Sequence, residues 1–118
     1  MYVSADIAAS DLPKPTGFRL LIGIPDVENK TKGGILLPDQ LRDLEKTASV
    51  VGQVLDMGSE AYSDKEKFPA GPWCKTGDFI MLRSYTGTRF KVNDREYRLI
   101  NDDTVEAVVA DPRVIKRA

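Results

Sequence analysis

Residues 29–38 read NKTKGGILLP, and the reading of this stretch decides what kind of sheet the chain can build. Three large aliphatics, Ile35, Leu36 and Leu37, stand between the glycine pair Gly33-Gly34 and a proline. Taken alone they fit a short buried strand with the glycines as its turn. In place they lie within a connection from Asp26 to Thr47, rich in Lys, Asp and Glu, that is too long for an ordinary hairpin link and is therefore functional or disordered. The second reading is thus a recognition segment whose apolar anchors stay exposed until a partner supplies a groove. Further along, Leu37, Leu41 and Leu44 fall at helical spacing, with Pro38 acceptable at a first helical position, which allows a short amphipathic helix.

Outward from this connection the chain reads as strands. Phe18, Leu20, Ile22 and Ile24 alternate with Arg19, Leu21 and Gly23, as a half-buried strand does, and Pro25 ends the run. Val50 to Met57 is a second strand stopped by Gly58, and Phe79 to Arg83 a third, launched from the turn Lys75-Thr76-Gly77-Asp78. Arg89 to Val92 and Glu96 to Ile100 flank Asn93-Asp94, which suits a hairpin because Asn and Asp tolerate left-handed turn conformations. Asn101-Asp102-Asp103-Thr104 can turn the chain through side-chain to backbone hydrogen bonds before a closing β-branched run, Val105 to Val109. Short strands with turn signals and no long helix predict an all-β fold, a small β-barrel. The stretch 59–73 interrupts it, mixing charge with FPAGPW; it reads as an insertion packed back onto the barrel by Phe68 and Trp73.

Composition narrows the function. A length of 118 residues suits one domain with one core, and 42% hydrophobic with 30% charged residues argues against disorder over most of it. Seventeen basic against eighteen acidic side chains offer no general attraction for phosphate backbones, so nucleic acid is not an expected partner. The start, MYVSADIAASDLPKP, has no basic region followed by an apolar one, and no stretch approaches membrane-spanning length. A chain that stays in the cytoplasm and meets no membrane is expected, and a lone cysteine, Cys74, agrees with a reducing compartment.

No catalytic, metal or cofactor site is expected. Histidine is absent, which removes the usual general base, the Ser-His-Asp and Cys-His arrangements and imidazole metal ligands. One cysteine cannot build a thiolate zinc site, and no glycine pattern matches a phosphate-binding loop. Asp102-Asp103 read as turn-capping groups rather than a catalytic dyad, and Cys74 as structural rather than reactive. Three rings, Phe18, Tyr85 and Phe90, with Arg19, Arg83 and Arg89, have the chemistry of a nucleic-acid platform, although strand cores and solvated neighbours explain them more simply.

These pieces, in order, resemble the GroES-like co-chaperonins. The first strand is followed by a long loop containing GGILLP, where the family has a Gly-Gly and an aliphatic triplet; then come VVGQVLDMG, KTGDFIML and EYRLINDDTVEAVV. The resemblance runs from Lys14 to Val109, and FPAGPWCKTGD and TGTRFKVNDREYRLINDD look like the phage-encoded or phage-like branch. It implies a single GroES-like domain over residues 1–118, with a mobile loop at about 26–47 and a roof hairpin at about 59–73. It further implies a homo-oligomer, a heptameric ring, that caps a GroEL-type chaperonin in the cytoplasm, the host's if the chain is phage-encoded. The chaperonin-binding residues carried over are Gly33, Gly34, Ile35, Leu36 and Leu37; ATP is bound and hydrolysed by the partner. The charge and prolines of 59–73, and Leu41 and Leu44, depart from the common pattern. A phage β-barrel module that binds nucleic acid or acts as a scaffold is the rival reading; a fragment of a zinc-dependent dehydrogenase, which shares a similar barrel, lacks the ligands.

Overall fold

The computed structural model describes residues 11–24, the backbone of 30–31 and 34–35, residue 42, and residues 45–118. Eight strands occur among them: β1 Arg19–Gly23, β2 Lys30–Thr31, β3 Gly34–Ile35, β4 Val51–Met57, β5 Phe79–Met81, β6 Thr88–Val92, β7 Arg95–Asn101 and β8 Ala107–Val109. Six of them form one sheet in the order β6-β7-β1-β4-β5-β8, antiparallel at every pairing. The all-β class expected from the sequence is the one observed.

Alternation along the strands makes this sheet enclose a core. Leu20 and Ile22 of β1, Val54 of β4, Ile80 of β5 and Ile100 of β7 join Leu82, Val105, Tyr62, Phe68 and Cys74 in one apolar cluster. Leu20 pairs with Met57 and Leu21 with Asp56, yet Ile22 pairs with Val54, so Leu55 is an extra residue on β4. Such a bulge bends its strand and increases the local twist, which helps a short sheet coil round its contents. One expectation differs in detail: β1 is not half-buried, since Leu21 is only 2% exposed, whereas Phe18 stands 47% exposed. As a central strand between β7 and β4, β1 has both faces covered.

The turns follow their residue chemistry. Asn93 and Asp94 take φ of 49° and 65°, the left-handed pair that a two-residue hairpin between β6 and β7 requires. At Lys75-Thr76-Gly77-Asp78, the Lys75 amide donates to the Asp78 carboxylate at 3.0 Å and Gly77 supplies a φ of +98°. Asp102–Thr104 form a 3-10 turn in which the Thr104 hydroxyl donates to the Asn101 carbonyl at 2.6 Å.

The hairpin expected over 59–73 does not form; the segment runs through successive turns with no strand. Pro69 and Pro72 have no amide for a ladder, and the Asp64 carboxylate accepts from the Glu66 and Lys67 amides at 3.0 and 3.3 Å, offering the backbone a local alternative. Phe68 does pack the segment down, being 3% exposed and 4.8 Å from Trp73 edge to face, while Trp73 itself is half exposed. Tyr62 completes the group, 4.8 Å from Phe68.

Candidate functional site

The connection that opened the sequence reading leaves and re-enters the sheet at two pinned ends. At the outgoing end Ile24 is 7% exposed within the core and its amide donates to the Glu96 carbonyl at 3.2 Å, extending the β1–β7 pairing past Gly23. At the return end residues 45–48 form a helical turn, closed by Ser49 N–H to Glu45 O and Val50 N–H to Thr47 O, each 3.1 Å. Ala48 plugs that turn into the core.

A second hold on the return end comes from the far end of the chain. Thr47 is 3% exposed and its hydroxyl donates to the Ile115 carbonyl at 2.6 Å, while the Arg117 amide donates to the Lys46 carbonyl at 3.2 Å. The tail reaches this position through a 3-10 turn, Pro112–Val114, whose N-terminal Asp111 carboxylate accepts from the Arg113 amide at 3.0 Å. The Arg113 guanidinium beside it holds the Asp111 carboxyl below the usual carboxylate range. Nothing in the sequence pattern pointed to this clamp.

Between the pins, β2 and β3 pair antiparallel, Lys30 with Ile35 and Thr31 with Gly34, as a two-stranded sheet separate from the six-stranded one. The backbone of Gly34 and Ile35 is therefore extended, but in a small hairpin of its own and not in a ladder of the main sheet. A lone two-stranded pair is marginal in water and gains stability only by packing on something else. Of the residues expected to bind a partner, Gly33, Leu36 and Leu37 lie outside the described residues, as do Leu41 and Leu44 of the expected helix and the side chain of Ile35.

On another part of the sheet, Asp102 and Asp103 hold the turns of 59–73. The Asp102 carboxylate, 5% exposed, accepts from the Tyr62 amide at 2.9 Å, and Tyr62 has a φ of 59°, a left-handed conformation that needs such support. Asp103 pairs with Lys67. Both aspartates thus fasten the 59–73 segment to the sheet, where their place in a turn had suggested capping groups; neither caps the 3-10 turn that holds it. Cys74 is buried, its sulfur 3.3 Å from the Tyr62 hydroxyl, and burial pushes both groups above their ordinary pKa. A thiol held protonated in an apolar site is a packing group.

The ring-and-arginine set named for nucleic acid does not converge. Phe90 stacks on Tyr97 at 5.9 Å between centroids, Arg89 is engaged by Glu96, and Arg83 reaches Glu106 at 3.7 Å. Tyr85 stands exposed at the edge of a cavity that Arg89 also lines, and Arg19 lies over the Phe18 ring at 5.7 Å.

Comparison with known proteins agrees with this architecture. The family model described as the chaperonin 10 Kd subunit matches residues 13–109. A protein named co-chaperonin GroES from Caldicellulosiruptor saccharolyticus is 34% identical over 98 residues, covering 83% of this chain and 97% of the relative. The co-chaperonin GroES of Parageobacillus thermoglucosidasius is 33% identical over 100 residues, 81% and 97% of the two chains. That of Geobacillus thermodenitrificans is 32% identical over the same length and shares.

Proposed function

The chain belongs to the chaperonin 10 family, and we propose that it acts as a co-chaperonin, closing the chamber of a GroEL-type ring through the connection that carries Gly33, Gly34, Ile35, Leu36 and Leu37. The observation that carries this reading is the separate β2–β3 hairpin, slung between the Ile24 pin and the 45–48 turn rather than woven into the main sheet. A chain segment so placed can present an apolar triplet outward from a rigid base. The rival reading as a nucleic-acid module or scaffold has no convergent ring-and-arginine platform behind it among the described residues.

Magnitudes favour a multivalent cap. Burying three aliphatic side chains contributes about 1.5–3 kcal/mol each. Fixing backbone costs roughly 1–2 kcal/mol per residue, so ordering a handful of residues on docking offsets most of that gain. One loop would bind weakly. Several loops on a ring make later contacts intramolecular, raising affinity by about two to four decades with no new contact. The proposed assembly is accordingly a homo-oligomeric ring, a heptamer by the family's habit, working in the cytoplasm. ATP would be bound and hydrolysed by the chaperonin, with no cofactor on this chain. The resemblance of FPAGPWCKTGD and TGTRFKVNDREYRLINDD supports placing it in a phage-like branch, where the cytoplasm would be the host's.

The experiment is to mix the purified assembly with a GroEL-type ring, with and without ATP, and follow co-sedimentation. A nucleotide-dependent complex is expected, and Leu36→Asp should preserve the assembly while abolishing the complex. A Leu36→Asp protein that still caps refutes the anchor; a native protein that binds no such ring refutes the function.

A further inference from the structure

A cavity of about 420 Å³ opens between the 45–49 turn, the β5–β6 connection and strands β6 and β7. Its lining is cationic: Arg89, Lys91, Arg95, Arg98 and Arg117 stand against three carboxylates, in a chain whose overall formal charge is -1. One of those carboxylates is already committed, because Glu96 takes the Arg89 guanidinium at 3.0 and 3.1 Å.

Arg98 is the anomaly. It faces the core side of β7, in register with Ile22 and two residues from Ile100, and it is 1% exposed. Its Nη1 donates to the Arg83 carbonyl at 3.2 Å, its Nε has no partner, and it forms no ion pair with a described residue. Its cross-strand partner is Arg89, a like charge directly opposite, which destabilises a strand pair. Burial and then the neighbouring Arg89 act against its charged form, and Glu96 offsets them only in part. A buried guanidinium is normally paired, and here the space beside it is a cavity also edged by the Ser84 hydroxyl.

We propose that this cavity binds an oxyanion, a carboxylate or phosphate group, with Arg98 as its floor and the exposed Arg117 at its rim. An anion seated there meets Arg98 through protein rather than bulk water, where a unit charge is least screened. The planar guanidinium fork of the exposed Arg117 suits either group. Two sources share the chemistry: a free small anion, or an acidic side chain of a second copy of this chain. The site borders the anchors of the chaperonin-docking connection, Ile24 and the 45–49 turn, yet its test needs no chaperonin.

The test titrates the intact protein with inorganic phosphate at constant ionic strength, chloride being the balancing ion, and follows binding heat and melting temperature. The parent, Arg98→Leu and Arg117→Gln are compared, and the assembly state of each is measured by sedimentation velocity. Saturable binding that Arg98→Leu loses and Arg117→Gln weakens by roughly threefold or more identifies a free oxyanion. No response to phosphate, together with assemblies of the variants that dissociate at about tenfold higher protein concentration than the parent's, identifies a neighbour's carboxylate. A phosphate response equal in all three proteins, or no response with unchanged assembly, overturns the proposal. Should Arg98→Leu fail to fold, Arg117→Gln decides alone, since Arg117 is exposed and its side chain carries no core packing.

Discussion

Replacing Asp102 by alanine should loosen the 59–73 segment before it loosens the sheet. The Asp102 carboxylate is 5% exposed and accepts the Tyr62 amide at 2.9 Å, and Tyr62 is itself 5% exposed. Truncation leaves that amide buried without an acceptor, at a cost of about 1–3 kcal/mol, nearer the upper end because the lost bond is charge-assisted. It also removes what holds Tyr62 at its φ of 59°. For a domain of this size each kcal/mol lowers the melting temperature by roughly 4 °C, so a fall of about 4–12 °C is expected at fixed protein concentration. The reporter is built in: Trp73 is the sole tryptophan and lies 4.8 Å from Phe68 and 6.0 Å from Tyr62. In urea, the Trp73 emission of the variant should shift red at a lower concentration than that at which the β-sheet circular dichroism is lost. Asp103→Ala, which breaks only the solvent-screened pair with Lys67, should change little. If Asp102→Ala left the midpoint unchanged, or Asp103→Ala cost as much, the buried carboxylate would not be what fastens this segment.

Three further outcomes are expected. Gly87→Ala should destabilise by at least roughly 1–3 kcal/mol, because Gly87 has a φ of +77° and a Cβ there would stand 2.3 Å from the Leu99 carbonyl; guanidinium unfolding measures it, and a variant as stable as its parent contradicts the geometry. Thr47→Val keeps shape but removes the 2.6 Å bond to Ile115, so about 1 kcal/mol should be lost locally, and the Ser49 and Val50 amides should exchange faster; unchanged protection would mean that the tail is no clamp. Iodoacetamide should label Cys74 slowly at pH 8 in the native protein and quickly once it is unfolded, since burial raises its pKa and that of Tyr62. The same shifts mean that the unfolded chain ionises first, so stability should fall as pH climbs above the ordinary thiol value of about 8.5; flat stability to pH 11 would count against it.

Much of the sheet was readable in advance because its signals are local. The hairpin at Asn93-Asp94 and the turn at Lys75 to Asp78 follow from backbone preferences of a few residues, and β4 follows from an apolar run with a glycine stop. The turn at Asn101 to Thr104 was readable too, down to its side-chain bond. Residues 59–73 went otherwise: charge, Phe68 and Trp73 suggested an insertion folded back, but prolines and the Asp64 cap left no ladder for a hairpin. The buried Arg98 had a legible sign, since it is in phase with Ile100 along β7, yet a charged residue on a core face is normally discounted.

From the residues in order came the all-β class, the strand positions, the turns and the family, because alternation, glycine, asparagine and proline act over a few neighbouring positions. Tertiary structure alone decided which carboxylate meets the Tyr62 amide forty positions away, which tail carbonyl receives Thr47, and that an arginine ends up sealed beside a cationic cavity. Those are pairings between segments remote in sequence, and their energies exist only once the sheet order has brought the partners within hydrogen-bonding distance.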